Sequence, residues 1–219
     1  MMIQMDKVFM RYKKDTTVLN DVNLSIDKGE FVFLVGPSGA GKSTILRLIH
    51  RELVPTSGKI QVAGYDLSEL KNSQVPHYRR KVGVVFQDFK LLPHRTITQN
   101  IALSLHVAGA RRSQIRRNVD RVLEWTNLTH RKNALPIDIS GGEQQRAAIA
   151  RAIVNDPPLI LADEPTGNLD ADLSFEIMAL LERFNRRGAT VLVATHNIEL
   201  ARRLNKRIIK IHQGKIIED

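Results

Sequence analysis

The chain alternates short apolar runs with stretches of helical periodicity. Phe31-Val32-Phe33-Leu34-Val35, Val82-Gly83-Val84-Val85-Phe86, Leu159-Ile160-Leu161-Ala162 and the run from Thr190 to Ala194 are rich in strand formers, and each predicts a buried strand. Ile45, Leu46, Leu48 and Ile49 follow the first at helical spacing, and a helical stretch leads to Gly188 before the last. Strands separated by helices imply an open α/β sheet. The N-terminal region reads differently. From Ile3 to about Ile26 apolar and polar residues alternate, most clearly at Val22, Leu24 and Ile26, which predicts an antiparallel sheet with one wet face. Tyr12 falls in its polar loop, Arg11 to Asp15. After a turn at Pro55, Ser57 and Gly58, Ile60 and Val62 predict a return to the sheet before the Gly64 turn. From Asp88 to about Leu135 the pattern is helical without strands. Ser113 is expected to cap a helix whose apolar stripe is Ile115, Val119, Val122 and Leu123, with Arg112, Arg116, Arg117 and Arg121 on the other face. Ile208 to Ile211 and Lys215 to Ile217, around Gln213-Gly214, predict a closing hairpin.

Composition narrows the classes. At 219 residues one domain with an inserted helical subdomain is expected, and 42% hydrophobic with 26% charged residues suits an ordinary globular protein. Without cysteine there are no disulfides and no thiolate metal sites. No apolar run approaches the roughly 20 residues that span a bilayer, and the N-terminus lacks the apolar region of a signal peptide. A net charge of +10 favours an anionic neighbour: nucleic acid, an acidic membrane leaflet or a nucleotide. The clusters Arg79-Arg80-Lys81, Arg111-Arg112, Arg116-Arg117 and Arg202-Arg203 are dispersed and read as solvated helix faces.

The chemistry centres on Gly36-Pro37-Ser38-Gly39-Ala40-Gly41-Lys42-Ser43, followed by Thr44, which fits G-x-x-x-x-G-K-[ST] between a predicted strand and a predicted helix. Glycines let backbone N–H groups turn inward around phosphate oxygens, and the helix directs its positive end at the anion. Lys42 supplies a charge for the terminal phosphates, and Ser43 a hydroxyl for Mg²⁺. Gln87 stands at a strand end, where open α/β sheets bind ligands. Ile139-Ser140-Gly141-Gly142-Glu143-Gln144-Gln145-Arg146 opens a helix that Pro157 and Pro158 terminate. Ser140 and Glu143 have capping-box spacing, but capping does not require two glycines, and close approach to a phosphate does. The adjacent carboxylates Asp163-Glu164 at a strand end suit a cation, which makes Asp163 a candidate contact to Mg²⁺ and leaves Glu164 as a base toward water. Asn168-Leu169-Asp170 follows as a loop, and Thr195-His196 ends a further strand.

In that order these motifs resemble the ATP-binding-cassette ATPases over essentially the whole chain, and Ser-Gly-Gly-Glu-Gln-Gln-Arg is the most specific of them. The resemblance implies a P-loop nucleotide-binding domain with a RecA-like core, an N-terminal antiparallel β-subdomain and an inserted helical subdomain, with core at 1–87 and 155–219 and helical part at about 88–154. It makes Tyr12 the adenine-stacking residue, Gln87 the sensor of Mg²⁺ and attacking water, and Glu164 the general base, with His196 steadying the γ-phosphate. Ser140, Gly141, Gly142 and Glu143 would meet the ATP held by a second copy, and Asp170 would lie at the dimer contact. The implied assembly is an ATP-dependent homodimer with MgATP. Leu70-Lys71-Asn72, Val75-Pro76, Phe86-Gln87-Asp88, Leu91-Leu92-Pro93, Arg95-Thr96 and the run Ala162 to Asp170 resemble the cell-division branch. That branch implies an integral membrane partner of FtsX type and a peripheral place on the cytoplasmic face of the bacterial inner membrane. Ile139 replaces the usual Leu of the signature, Thr98-Gln99 stands where that branch more often has an aromatic and an acid, and lipoprotein-release and macrolide-export ATPases share many of the same residues. A nucleic-acid-binding ATPase is the reading that charge alone favours, but such relatives insert long coiled coils between phosphate loop and signature, and no sustained heptads occur here.

Overall fold

The computed structural model describes residues 1–12, 16–167 and 169–218. The chain runs β1 (Ile3–Tyr12), β2 (Thr16–Ile26), β3 (Phe31–Val35), α1 (Lys42–Ile49), β4 (Ser57–Val62), β5 (Tyr65–Asp66), α2 (Val75–Arg79) and β6 (Val82–Val85). It continues through α3 (Ile97–Val107), α4 (Arg112–Trp125), α5 (Gly141–Ile153), β7 (Leu159–Asp163), α6 (Ala171–Asn185), β8 (Thr190–Thr195), α7 (Ile198–Arg203), β9 (Arg207–His212) and β10 (Lys215–Glu218).

The strands form two sheets. One has the order β10-β9-β3-β8-β7-β6 and is parallel except for β10. The interiors of its central strands are apolar because both faces are covered. Phe31, Phe33 and Val35 of β3 face one core and Val32 and Leu34 the other, and β8 divides the same way, Val191 and Val193 against Leu192 and Ala194. The helices α3 to α6 cover the first face, and α1 with the second sheet covers the other.

That second sheet is antiparallel, in the order β2-β1-β4-β5. The pairs Ile3↔Ile26, Met5↔Leu24 and Val8↔Val22 set its buried face, and the strand carrying Ile60 and Val62 joins this sheet beside β1 rather than the parallel one. The register slips at Lys7, which adopts φ 47°, and there β4 crosses so closely that a Cβ on Gly58, itself at φ 91°, would lie 2.3 Å from the Lys7 carbonyl oxygen. Only glycine fits such a bulge crossing.

Two local expectations change. Arg11 and Tyr12 are not in a loop: they end β1, paired with Thr17 and Thr16, and the Arg11 N–H donates to Thr56 Oγ1 at 3.0 Å. The β-branched threonines extend the ladder past the point where the polar sequence suggests a turn. The rest of that expected loop, 13–15, lies outside the described residues, as does Asn168. Ser113 does not cap α4 either. The helix begins two residues earlier, with Arg111 at its N-cap in extended backbone and its N–H donating to Gln114 Oε1 at 3.0 Å. A glutamine three residues into the helix answers the flanking N–H in place of a serine cap. The expected stripe of Ile115, Val119, Val122 and Leu123 is buried, and Arg112, Arg116 and Arg117 are exposed. In α3, Thr96 and Gln99 make a reciprocal capping box.

Gly58→Ala should remove about 2 to 3 kcal/mol of unfolding free energy, read as a lower urea midpoint at unchanged slope, because the substituted backbone must leave both its φ and its contact with Lys7.

Candidate functional site

The parallel register sets the site. Val35 pairs with Thr195, Asp163 with Ala194 and Val85 with Ala162, so β3, β8, β7 and β6 all end at one level. The residues just past those ends are Gly36, His196, Glu164 and, one residue beyond Phe86, Gln87. Sequence-distant groups therefore share one edge, the topological switch point at which such sheets bind ligands.

The loop from Gly36 to Gly41 is a cradle. Gly39 and Gly41 take φ 78° and 110°, and a side chain at Gly39 would meet nothing within 4 Å. Leu19 and Val18 of β2 and Ile211 of β9 press on Gly41 from below, and Gly214 donates to the Ala40 carbonyl at 3.0 Å. The helix α1 starts at Lys42 with Gly41 as its N-cap, without a side-chain cap and without an acidic residue in its first turn. Its leading N–H groups thus remain available to an anion. Lys42 is only 6% exposed, and its ammonium donates to the carbonyls of Gly36 at 2.7 Å and Pro37 at 3.1 Å. Pro37, Ser38 and Gly39 are exposed along the rim, while Ala40 and Thr44 are buried in its floor.

Three charged groups meet beside the cradle. Glu164 lies 3.6 Å from Lys42 Nζ through Oε1, and its Oε2 accepts from His196 Nδ1 at 3.0 Å. Glu164 itself adopts φ 46°, pinned by its N–H to the Ala194 carbonyl at 2.9 Å. Left-handed backbone at a charged non-glycine residue is strain that the surrounding ladder must hold. A carboxylate accepts only, so His196 Nδ1 carries the proton in this contact and Nε2 is left to face outward. Ser43 Oγ donates to Asp163 Oδ1 at 3.1 Å. Burial pushes the Asp163 carboxyl above its ordinary pKa, with the Glu164 charge adding to it; the Ser43 hydrogen bond, Lys42 and Lys90 oppose. A carboxylate so desolvated favours a cation beside it.

Gln87 is exposed on the same side, its Nε2 3.9 Å from where a Cβ on Gly167 would stand. With Asp163 it lines a cleft of about 590 Å³ whose other walls include Leu46, Arg47, His50, Phe86 and Lys90. Burial, reinforced by Arg79, lowers the His50 imidazole to about 4, so it faces this cleft neutral.

The structure keeps 140–143 apart from this constellation. Among the described residues no hydrogen bond or ion pair joins them to 36–44 of the same chain. Ser140 is the N-cap of α5, where its Oγ accepts from the Glu143 N–H at 3.3 Å while Glu143 Oε2 accepts from the Ser140 N–H at 2.9 Å. Glu143 Oε1 takes the Arg131 Nε at 3.0 Å, so both oxygens of this carboxylate are engaged within the chain. Gly141 faces open space, and Gly142 is pressed by Leu173, the residue whose N–H caps onto Asp170 Oδ1 at 2.9 Å. Asp170 is exposed and starts α6. Tyr12 is half-buried at the tip of β1, against the core beneath the loop. Arg151 belongs to none of the sequence motifs; its one mark in the chain is to be a lone charge inside the apolar run Ala147 to Ile153.

The sequence profile of the ABC transporter family matches residues 19–167. The chain is 50% identical over 217 residues to the cell division ATP-binding protein FtsE of Streptococcus pneumoniae, covering 99% of this chain and 94% of that protein. It is 49% identical to FtsE of Bacillus subtilis over 218 residues, covering 100% and 96%. The dimeric ATP-binding cassette MJ0796, in a post-hydrolysis state bound to ADP and Pi, superposes with a TM-score of 0.91 at 38% identity, covering 99% and 97%.

The Ser140 N–H and Arg131 hold the Glu143 carboxyl down at about 2 against the opposing effect of its burial. Since the folded value lies below the ordinary 4.5, its stabilisation is complete above pH 5 and is lost as pH falls from there toward 2. Glu143→Gln should therefore cost about 1 kcal/mol at pH 7 and progressively less toward pH 3.5, as urea unfolding at the two pH values will register.

Proposed function

The chain belongs to the ABC transporter family of ATPases, and we propose that it is the ATP-hydrolysing subunit of a bacterial cell-division complex of the FtsE type. The observation that carries the chemistry is the meeting of Lys42, Glu164 and His196 beside the Ser43–Asp163 pair at the aligned strand ends. The cell-division role is supported by likeness to FtsE proteins along the full chain.

The residues present suit MgATP. Glycines 39 and 41, the uncapped start of α1 and Lys42 offer donors to the phosphates. Tyr12 offers its ring to the adenine. Ser43 and Asp163 offer two oxygens to Mg²⁺, with Gln87 within reach of the same edge. Among the described residues no group of three carboxylate or histidine ligands stands ready for a metal, which suits an ion that keeps its waters and borrows phosphate oxygens. When bound, Mg²⁺ supplies charge neutralisation on the phosphates. Glu164 then takes a proton from the attacking water as the new oxygen–phosphorus bond forms and the bond to the β-phosphate oxygen breaks, releasing ADP and phosphate. His196, oriented by Glu164 through Nδ1, turns its other nitrogen to the γ-phosphate.

In this reading 1–219 is one cassette, its core 1–87 and 155–219 and its helical part about 88–154. One chain holds half of each site. The Ser140 to Glu143 segment is kept away from its own phosphate loop, and open Gly141 suits the nucleotide of a second copy, with Asp170 at the contact. Ser140 and the backbone of the two glycines do the touching, while the engaged Glu143 carboxylate rigidifies the cap. ATP shared by both copies favours the closed homodimer, and loss of the γ-phosphate removes that difference. No helix among the described residues is long and apolar enough to cross a membrane, so an integral partner of FtsX type would hold the protein at the cytoplasmic face of the inner membrane. The cleft beside Gln87 is where that partner would sit.

Purified Glu164→Gln should bind ATP, accumulate as an ATP-dependent dimer by light scattering, and hydrolyse at least about a hundredfold more slowly; hydrolysis at the wild-type rate sinks the base assignment. Lys42→Ala should instead weaken ATP affinity about tenfold or more in an equilibrium titration. An affinity capture from detergent-solubilised membranes with Glu164→Gln and MgATP should retain an FtsX-type protein, and retention of an exporter or lipoprotein-release permease instead would overturn the biological role alone.

A further inference from the structure

The segment after Gln87 is bent in a way its sequence does not favour. Phe89 and Lys90 adopt φ 56° and 49°, two consecutive non-glycine residues in left-handed backbone. Side chains with a Cβ resist that region, so something outside the segment must hold it. The Phe89 N–H reaches the Phe86 carbonyl at 3.3 Å and the Lys90 ammonium lies 4.3 Å over the Phe86 ring, but both contacts lie within the bend itself. The outside hold is Arg151. Its Nη2 donates to the Phe89 carbonyl at 2.7 Å and its Nη1 to the Lys90 carbonyl at 2.6 Å. Charge-assisted bonds this short, in a planar fork across successive carbonyls, need a guanidinium.

No other contact of the guanidinium among the described residues accounts for that charge. No ion pair is formed by Arg151 among the described residues, and burial lowers its pKa from the ordinary arginine value. Its own backbone is fixed. The Ser104 hydroxyl of α3 donates to the Arg151 carbonyl at 3.2 Å, and β6 packs so tightly beside the next residue that a Cβ on Gly83 would come within 2.6 Å of the Ala152 carbonyl oxygen. Arg151 also sits about three turns along the helix that Ser140 caps, roughly 16 Å of rigid rod. One helix therefore carries Ser140 at its start and grips the backbone next to Gln87 near its end.

We propose that Arg151 is a positioning residue which, by clamping the carbonyls of Phe89 and Lys90, sets the reach of Gln87 over the reacting centre. The inference rests on the reading of Gln87 given above. Arg151 acts through Gln87, and it ties the placement of that glutamine to the helix that bears Ser140.

The test uses the full chain with Arg151→Met, Arg151→Lys, Gln87→Glu and the Arg151→Met/Gln87→Glu double variant. Hydrogen exchange by mass spectrometry should speed up about tenfold or more in Arg151→Met across residues 86–92 and stay unchanged at 36–44. Steady-state kinetics should give a kcat about tenfold lower with the KM for ATP within about twofold, and Arg151→Lys, which keeps one of the two bonds, should lie between. The double variant should turn over no more slowly than Gln87→Glu alone. Unchanged exchange at 86–92, or losses that multiply in the double variant, overturn the proposal. A wild-type kcat in Gln87→Glu would defeat the reading of Gln87, and the exchange result would then decide the clamp by itself. Should Arg151→Met fail to fold, the exchange and KM-against-kcat comparison of Arg151→Lys with wild type gives the same decision.

Discussion

The level ending of β3, β8, β7 and β6 is the constraint on which the rest of the molecule depends. Parallel pairing places Val35, Thr195, Asp163 and Val85 at the same edge of the sheet. Shifting one strand by a residue would turn its side chains to the opposite face and carry its terminal polar group out of reach. Both cores enforce the register, because β3 and β8 divide their apolar residues between them. Packing that appears purely structural thus sets distances such as the 3.0 Å between Glu164 and His196.

At that edge the charges compensate one another. Lys42 is buried and satisfied by two carbonyls of its own loop, with Glu164 close by. Glu164 in turn orients His196, and the Ser43 hydroxyl steadies Asp163. Each contact offsets part of the cost of withdrawing a charge from water. What stays uncompensated is an electropositive cradle above a desolvated carboxylate, which suits a polyphosphate carrying a divalent cation.

The helical part meets this edge by a different route. The α5 helix is capped by a reciprocal network of Ser140 and Glu143 with Arg131 outside it, which fixes the direction of its first turn. Its apolar face packs into the same core as β3 and β8. Gly142 lies against Leu173 at the start of α6, whose N–H is capped by Asp170 Oδ1 at 2.9 Å, so the first turns of α5 and α6 meet. A change in the packing of one of these turns is felt at the other because close-packed neighbours leave no slack.

The local chemistry was legible in the chain itself. Gly36 to Ser43 can be recognised because phosphate binding needs particular residues at consecutive positions, and the central strands because a sheet covered on both faces has no polar positions. The Ser140–Glu143 box needs only a spacing of three. What the sequence left open depends on partners distant in the chain. The extension of β1 through Tyr12 is decided by Thr16 and Thr17 across the ladder, and the start of α4 by Gln114 rather than Ser113. Gly58 is required only because β4 crosses a bulge at Lys7. The grip of Arg151 on Phe89 and Lys90 joins residues some sixty positions apart. Short-range patterns record which groups are present and which face they share, since backbone geometry sets both. Which groups meet is decided by register and packing, which bring distant positions together only once the whole sheet has closed.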